Sequence, residues 1–383
     1  MITNENQLCS SNKEDKIFRI ILFVKKRVLS NIGNIMIRIE RIKNVILYSV
    51  FVCLIVSTTT VFGQGGVLPP IGYKTPQPQT ETSEPFAIPI PTMGGMQYWS
   101  DEVWFQGWRI QYNSLFRQSR LLDPNANQYA FGSFKHCKER LEKIKQARHL
   151  PPMHGRAVIL VHGFLSNYKY LDKIGNRLRQ SGRYDQVIQA AYPSTQGSLE
   201  AHAAWMERLI SSLDGITTID FVAHSMGGLV VRSYMSGKGN KLGIRPDPRR
   251  FGRVVFIGTP NYGTYTAQYH YQTNPFAKDF AGASLYQMGE GWKEFSKGLI
   301  VPPCPYGVIA GGTPDGKGHC GGLRGDDDGV VELSSTRLSG ASDYKVMFYK
   351  HNALLFQPET AEMVNRFLEF GYFLSPEQMT PLR

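Results

Sequence analysis

The chain has 383 residues, of which 42% are hydrophobic and 19% charged, with a formal net charge of +12. That balance excludes a disordered polymer and fits one large globular domain with extra segments. Five of the twelve excess charges fall in residues 1–63, so the remaining +7 is a mild excess that favours anionic surfaces such as membranes or cell walls, and no basic-aromatic motif for nucleic acid accompanies it.

Arg38, Arg41 and Lys43 precede an apolar run over 45–56, followed by polar residues and Val61-Phe62-Gly63-Gln64. A basic stretch, a short apolar run and small residues before a cut after Gly63 predict an export signal over about 36–63, within a leader over 1–63. Export would place the protein in the periplasm, on the cell surface or in the medium. The alternative is an uncleaved membrane anchor, for which the run is short. Residues 64–97 are rich in Pro, Thr, Gln and Ser and read as an extended linker to a domain over 98–383.

Residues 103–112 and 120–122 read as two adjoining strands joined by a polar turn, the antiparallel edge that many parallel sheets carry. Ser133 caps a helix to about Gln146, with Phe134, Cys137, Leu141 and Ile144 along one face. Residues 157–161 are an apolar run of buried-strand length. A helix over 168–180, a strand over 186–191 and a helix over 199–213 follow. An apolar strand then ends near Ala223, and a helix-compatible stretch covers 229–235. Strands over 253–257, 306–310 and 344–349 and a closing helix over 360–370 complete the series. The alternation predicts an α/β class with a mostly parallel central sheet and helices on both faces. One segment, 261–303, breaks it. Its aromatics, among them Tyr262, Tyr265, Tyr269 and Trp292, suit either a cap over the carboxyl ends of the strands or an insertion with its own small core.

The sharpest motif is Ala223-His224-Ser225-Met226-Gly227-Gly228, a serine flanked by very small residues between a strand and a helix. A tight strand-to-helix turn strains the serine and brings neighbouring chain so close that only Gly or Ala fits two residues to either side. Upstream, Val161-His162-Gly163-Phe164 ends a strand in His-Gly. Downstream, Asp328 lies in Asp326-Asp327-Asp328-Gly329, and His351 follows the last strand.

Ser, then Asp, then His, after a strand ending in His-Gly, resembles the α/β-hydrolase superfamily, and within it the secreted bacterial lipases and esterases. Ile257-Gly258-Thr259-Pro260 is similar to that group's turn after the sixth strand, and the resemblance covers roughly 103–370. It implies an α/β-hydrolase fold with an aromatic-rich cap insertion over about 261–303. It implies Ser225 as nucleophile, His351 as base and Asp328 as the acid that orients it. The backbone N–H groups of Phe164 and Met226 would form the oxyanion hole. His162 and His224 are expected to shape the site. Asp326 and Asp327 are expected to be solvated charges or ligands of a structural calcium. Ala223 departs from the usual Gly, which relatives of this kind tolerate.

The implied activity is hydrolysis of carboxylic esters with lipid or other hydrophobic acyl groups. An acyltransferase or thioesterase on the same scaffold, or a non-catalytic binding protein, is the alternative. The expected partners are a hydrophobic ester substrate and a membrane or cell-envelope surface, with the protein a monomer and no nucleic acid bound. No cofactor and no metal are called for, since no cysteine has metal-ligand spacing. Cys304 and Cys320 lie in Gly/Pro-rich loops and in an exported protein are expected to form a disulfide, worth ~3 kcal/mol in the chain-entropy account. Cys137 is then left as a buried thiol.

Overall fold

The computed structural model describes residues 97–240 and 242–383. The expected leader over 1–63 and residues 64–96 of the expected linker lie outside the described residues. No described helix is long and apolar enough to cross a membrane.

Four strands come first: β1 (Trp99–Phe105), β2 (Trp108–Asn113), β3 (Gln118–Leu122) and β4 (Gln128–Gly132). They form an antiparallel sheet in chain order. The single strand expected over 103–112 is in fact the β1–β2 hairpin. Gln106 and Gly107 turn the chain at φ +47° and +86°, the doubly left-handed conformation of a two-residue hairpin turn. The expectation of an antiparallel edge on the parallel sheet is also corrected. β1 meets the neighbouring edge strand where Asp101 exchanges bonds with Ala191, its N–H donating to the Ala191 carbonyl and its carboxylate accepting the Ala191 N–H, and where Trp104 Nε1 donates to Gln186 Oε1. One such exchange and one side-chain bond are not a ladder, so the sheet stands apart.

The second sheet has six strands: β5 (Gly155–Val161), β6 (Gln186–Ala190), β7 (Ile216–His224), β8 (Phe251–Ile257), β9 (Tyr306–Gly311) and β10 (Asp343–Met347). Its order is β10-β9-β8-β7-β5-β6, and every pairing is parallel. Alternation along the strands divides their side chains between two cores. Ile159, Val161, Phe221 and Phe256 pack into the core shared with α1 (Phe134–Ala147), α3 (Leu199–Ser211), α4 (Met226–Met235) and the antiparallel sheet. Val158, Leu160, Val222 and Val255 pack into the other, with α2 (Asp172–Gln180) and α8 (Pro358–Phe370). A sheet covered on both faces explains the unbroken apolar runs of Ala157–Val161 in β5 and Val254–Ile257 in β8.

The chain steps from β5 outward to β6 and then returns to the far side of β5 as β7. The strand order therefore reverses between β5 and β7, and the crevice at their carboxyl ends is the position where open parallel sheets take ligands. The 261–303 segment between β8 and β9 contains α5 (Tyr265–Thr273), α6 (Pro275–Met288) and α7 (Trp292–Phe295). Both its ends are fastened by Arg232 of α4, which donates to the Asn261 carbonyl at 2.9 Å and the Ile300 carbonyl at 3.0 Å.

The expected disulfide is absent: Cys304 and Cys320 are free thiols, as is buried Cys137. Cys304 packs against the main core, while the loop at Cys320 is held instead by Asp327, whose carboxylate accepts the Cys320 N–H at 3.1 Å.

Candidate active site

Ser225 follows the last residue of β7 with φ +54° and ψ −129°, a conformation that costs a side-chain-bearing residue of order 1–3 kcal/mol. Its N–H donates to the Ile257 carbonyl at 2.9 Å, and its own carbonyl accepts the Gly228 N–H at 3.0 Å to start α4. The need for small neighbours is steric. A Cβ on Gly227 would lie 2.5 Å from the Val161 carbonyl oxygen, and one on Gly163 would lie 2.8 Å from the Ser225 Cβ. Ser225 is 9% exposed, so its hydroxyl sits at the bottom of the edge rather than on open surface.

His351 lies beyond β10 and is held twice by Asp328. Its backbone N–H donates to the Asp328 carbonyl at 2.8 Å, and its Nδ1 lies 2.7 Å from Asp328 Oδ2. A carboxylate only accepts, so Nδ1 carries the hydrogen and Nε2 of the neutral ring is left with its lone pair. The other Asp328 oxygen accepts from the N–H groups of Val330 and Val331 at 3.0 and 2.8 Å. Both groups are buried. Two glycines make room for the pair. A Cβ on Gly258, itself at φ +55°, would come within 3.2 Å of the His351 ring, and one on Gly311 within 2.6 Å of the Asp328 Cβ.

These contacts bring Ser225, Asp328 and His351 to the carboxyl edge of one sheet. Ser225 bonds to Ile257, and the next residue, Gly258, abuts His351 and Asp328. Ser225 Oγ makes no hydrogen bond among the described residues. The N–H groups of Met226, first in α4, and Phe164, in the loop after β5, likewise donate to no described group, and both flank the serine's turn.

Asp326 and Asp327 correct an expectation. Asp327 is fully buried and accepts the N–H groups of His319, Cys320 and Gly329. Asp326 accepts those of Thr313 and Asp327. They are turn staples rather than solvated charges. No cluster of three or more metal-ligating side chains occurs among the described residues.

The other histidines near the edge are buried and uncharged. Burial pushes the His224 imidazole well below its ordinary range, and the adjacent His351 adds to the effect. Its Nε2 faces the His351 carbonyl at 3.3 Å. Burial lowers His162 to about 4, and its ring stacks on Tyr192.

Three contributors were not foreseen. Gly258 and Gly311 stand at strand ends in Ile257-Gly258-Thr259 and Ala310-Gly311-Gly312, a pattern that signals close backbone approach. Gln97 bridges the loops after β5 and β6, donating to the Ser166 carbonyl at 2.5 Å and accepting from Ser194 Oγ, and nothing in the sequence marks it.

Residues 125–274, less than half the chain, match a family described as a domain of unknown function (DUF7379). No curated protein matches the sequence. Among solved structures, a gene product of Listeria innocua is 20% identical, with 60% of this chain and 99% of that one covered and a TM-score of 0.42. The mature form of a Bacillus licheniformis lipase is 18% identical over 54% of this chain and 90% of that one, with a TM-score of 0.40. A carboxylesterase of Bacillus subtilis is 14% identical over 57% and 85%, with a TM-score of 0.35. By its own strand order and the strand-to-helix turn at Ser225, the chain has the α/β-hydrolase fold.

Proposed function

We propose that the chain is a serine hydrolase of carboxylic esters, acting on lipid or other hydrophobic acyl esters. The observation that carries this reading is the meeting, at the β8 end, of a serine held at φ +54° with an imidazole bonded through Nδ1 to a buried carboxylate. A serine merely filling a turn needs neither the strain nor that neighbour.

In this reading His351 Nε2 takes the Ser225 proton as Oγ attacks the ester carbonyl. Asp328 keeps the hydrogen on Nδ1 and stabilises the imidazolium that forms. The N–H groups of Met226 and Phe164 donate to the developing oxyanion, and each such donor is typically worth ~10²- to 10³-fold in turnover. The imidazolium then protonates the departing alcohol, leaving an acyl-Ser225 ester. Water, deprotonated by His351, attacks that ester and releases the acid, and Ser225 regains its proton. The preference for hydrophobic acyl groups is supported by exposed apolar side chains around the edge: Leu165 on the loop beside Phe164, Tyr262 and Tyr265 at the start of the insertion, and Phe356 after His351.

The test is hydrolysis of p-nitrophenyl esters from acetate to palmitate by the full-length protein, beside Ser225→Ala. Turnover that Ser225→Ala abolishes supports the reading, and the chain-length profile separates an esterase from a lipase. A folded protein that is inert on every ester and unreactive with a fluorophosphonate probe leaves the reading without support.

A further inference from the structure

The seam between the two sheets holds a charged group that ester cleavage does not use. Trp104 of β1 and Arg109 of β2 are register partners, so their side chains share a face. The Arg109 guanidinium lies 4.9 Å from the Trp104 ring centroid and 5.0 Å from that of Tyr168. Only 13% of its side chain is exposed, and it makes no hydrogen bond among the described residues. Its acidic neighbour, Asp101, is 3.9 Å away and already accepts from Gln111 Nε2 at 2.7 Å and from the Ala191 N–H at 2.8 Å. A guanidinium has five N–H donors in its plane, and those of Arg109 have no hydrogen-bond acceptor among the described residues, which leaves them open to one from outside. The two rings account for where the group is packed but are not hydrogen-bond acceptors of the kind a guanidinium fork pairs with.

Arg109 and Trp104 line a groove of about 400 Å³ together with Arg179, Tyr184, Asp185 and Gln186. The groups left open there are donors. Arg179 gives Nη1 to Asn176 and Nη2 to Gln189 and keeps its Nε–H. Gln186 spends its oxygen on Trp104 Nε1 and keeps its amide hydrogens. The acid, Asp185, is engaged: it accepts the Arg156 N–H at 2.8 Å and lies 3.1 Å from His154 Nδ1.

We propose that this groove binds an oxyanion, the phosphate, sulfate or carboxylate group of a ligand, with Arg109 as a two-pronged donor and Arg179 as the second positive charge. Gln186 begins β6, whereas Ser225 follows the end of parallel β7. The groove is therefore at the opposite end of the sheet from Ser225, and its function is independent of the ester-cleaving reading. An anion there bridges β2 of one sheet and the α2–β6 flank of the other, fastening the two together.

The experiment uses the full-length protein in chloride at fixed ionic strength, with inorganic phosphate or sulfate replacing part of the chloride. Thermal unfolding and calorimetric titration are the readouts. At near-saturating phosphate or sulfate the Tm rises by about 5 °C over the chloride control. Arg109→Gln weakens binding at least tenfold. Because that change also removes packing between two rings, Arg179→Gln, on the groove wall, serves as the second variant and weakens binding similarly. The proposal is overturned if neither anion exceeds matched chloride, or if both folded variants keep the wild-type shift.

Discussion

Asp328→Asn separates the catalytic reading of the His351–Asp328 pair from a purely structural one. One Asp328 oxygen accepts from the Val330 and Val331 N–H groups, and the other faces His351 Nδ1 at 2.7 Å. An asparagine keeps the first pair of bonds only by pointing its carbonyl at Val330 and Val331, which turns its NH₂ toward His351. The imidazole must then accept at Nδ1 and carry its hydrogen on Nε2, the nitrogen that should receive the Ser225 proton. The loop stays folded and the base is switched off. Turnover should fall by ~10⁴, or ~5.5 kcal/mol of transition-state stabilisation, as expected when a triad acid can no longer hold the tautomer. Folding stability loses only the difference between charged and neutral hydrogen bonds, ~1–2 kcal/mol, a Tm shift of a few degrees. Ester hydrolysis and thermal unfolding on the same preparation check both numbers. A folded variant that keeps more than a tenth of the wild-type rate would refute this reasoning, since the pair would then have no part in setting the tautomer.

Ser225→Gly should abolish turnover and raise stability by ~1 kcal/mol, because glycine adopts φ +54° without the strain; unchanged or lower unfolding stability would count against strain at the turn. Arg232→Met should cost ~2–3 kcal/mol and make the 261–303 segment more sensitive to limited proteolysis, since it strips donors from the Asn261 and Ile300 carbonyls at both ends of that segment; equal cleavage rates in the two proteins would argue against the clasp. Acid should also destabilise the fold through its buried histidines, His162 being lowered to about 4 and His202 to about 3, in both cases chiefly by burial. Above pH 6.5 both are neutral folded or unfolded and contribute nothing. As pH falls below 6.5 only the unfolded chain takes up these protons, so stability is lost by roughly 2–3 kcal/mol per histidine at pH 4.5. Denaturant titrations of wild type and His202→Phe at pH 7 and 4.5 check the sign: the variant should lose less, and an equal loss in both would remove His202 from the account.

The central parallel strands were the most legible, because a strand covered on both faces favours an unbroken apolar run, and Ala157 to Val161 or Val254 to Ile257 satisfy that requirement by themselves. β4 was not, because its residues are only half-buried or exposed and show no alternation to read. The β1–β2 turn was hidden for a different reason: Gln106 takes a left-handed conformation that its identity does not advertise, inside an aromatic-rich run. At the site, Ser225 could be recognised because its turn excludes all but small neighbours, which are adjacent in the chain. Among the three aspartates only the resemblance singled out Asp328, since all three accept backbone N–H groups and what distinguishes Asp328 is an imidazole 23 residues away. Arg232 and Arg109 carry the argument further. Each is a nearly buried guanidinium, yet Arg232 takes its acceptors from carbonyls 29 and 68 residues downstream, and Arg109 is pinned by Tyr168 from another part of the fold. A group whose surroundings are built by its chain neighbours leaves a pattern in the sequence. A group whose surroundings are built by distant backbone leaves only an unexplained charge among apolar residues, and that charge is the signal to search for.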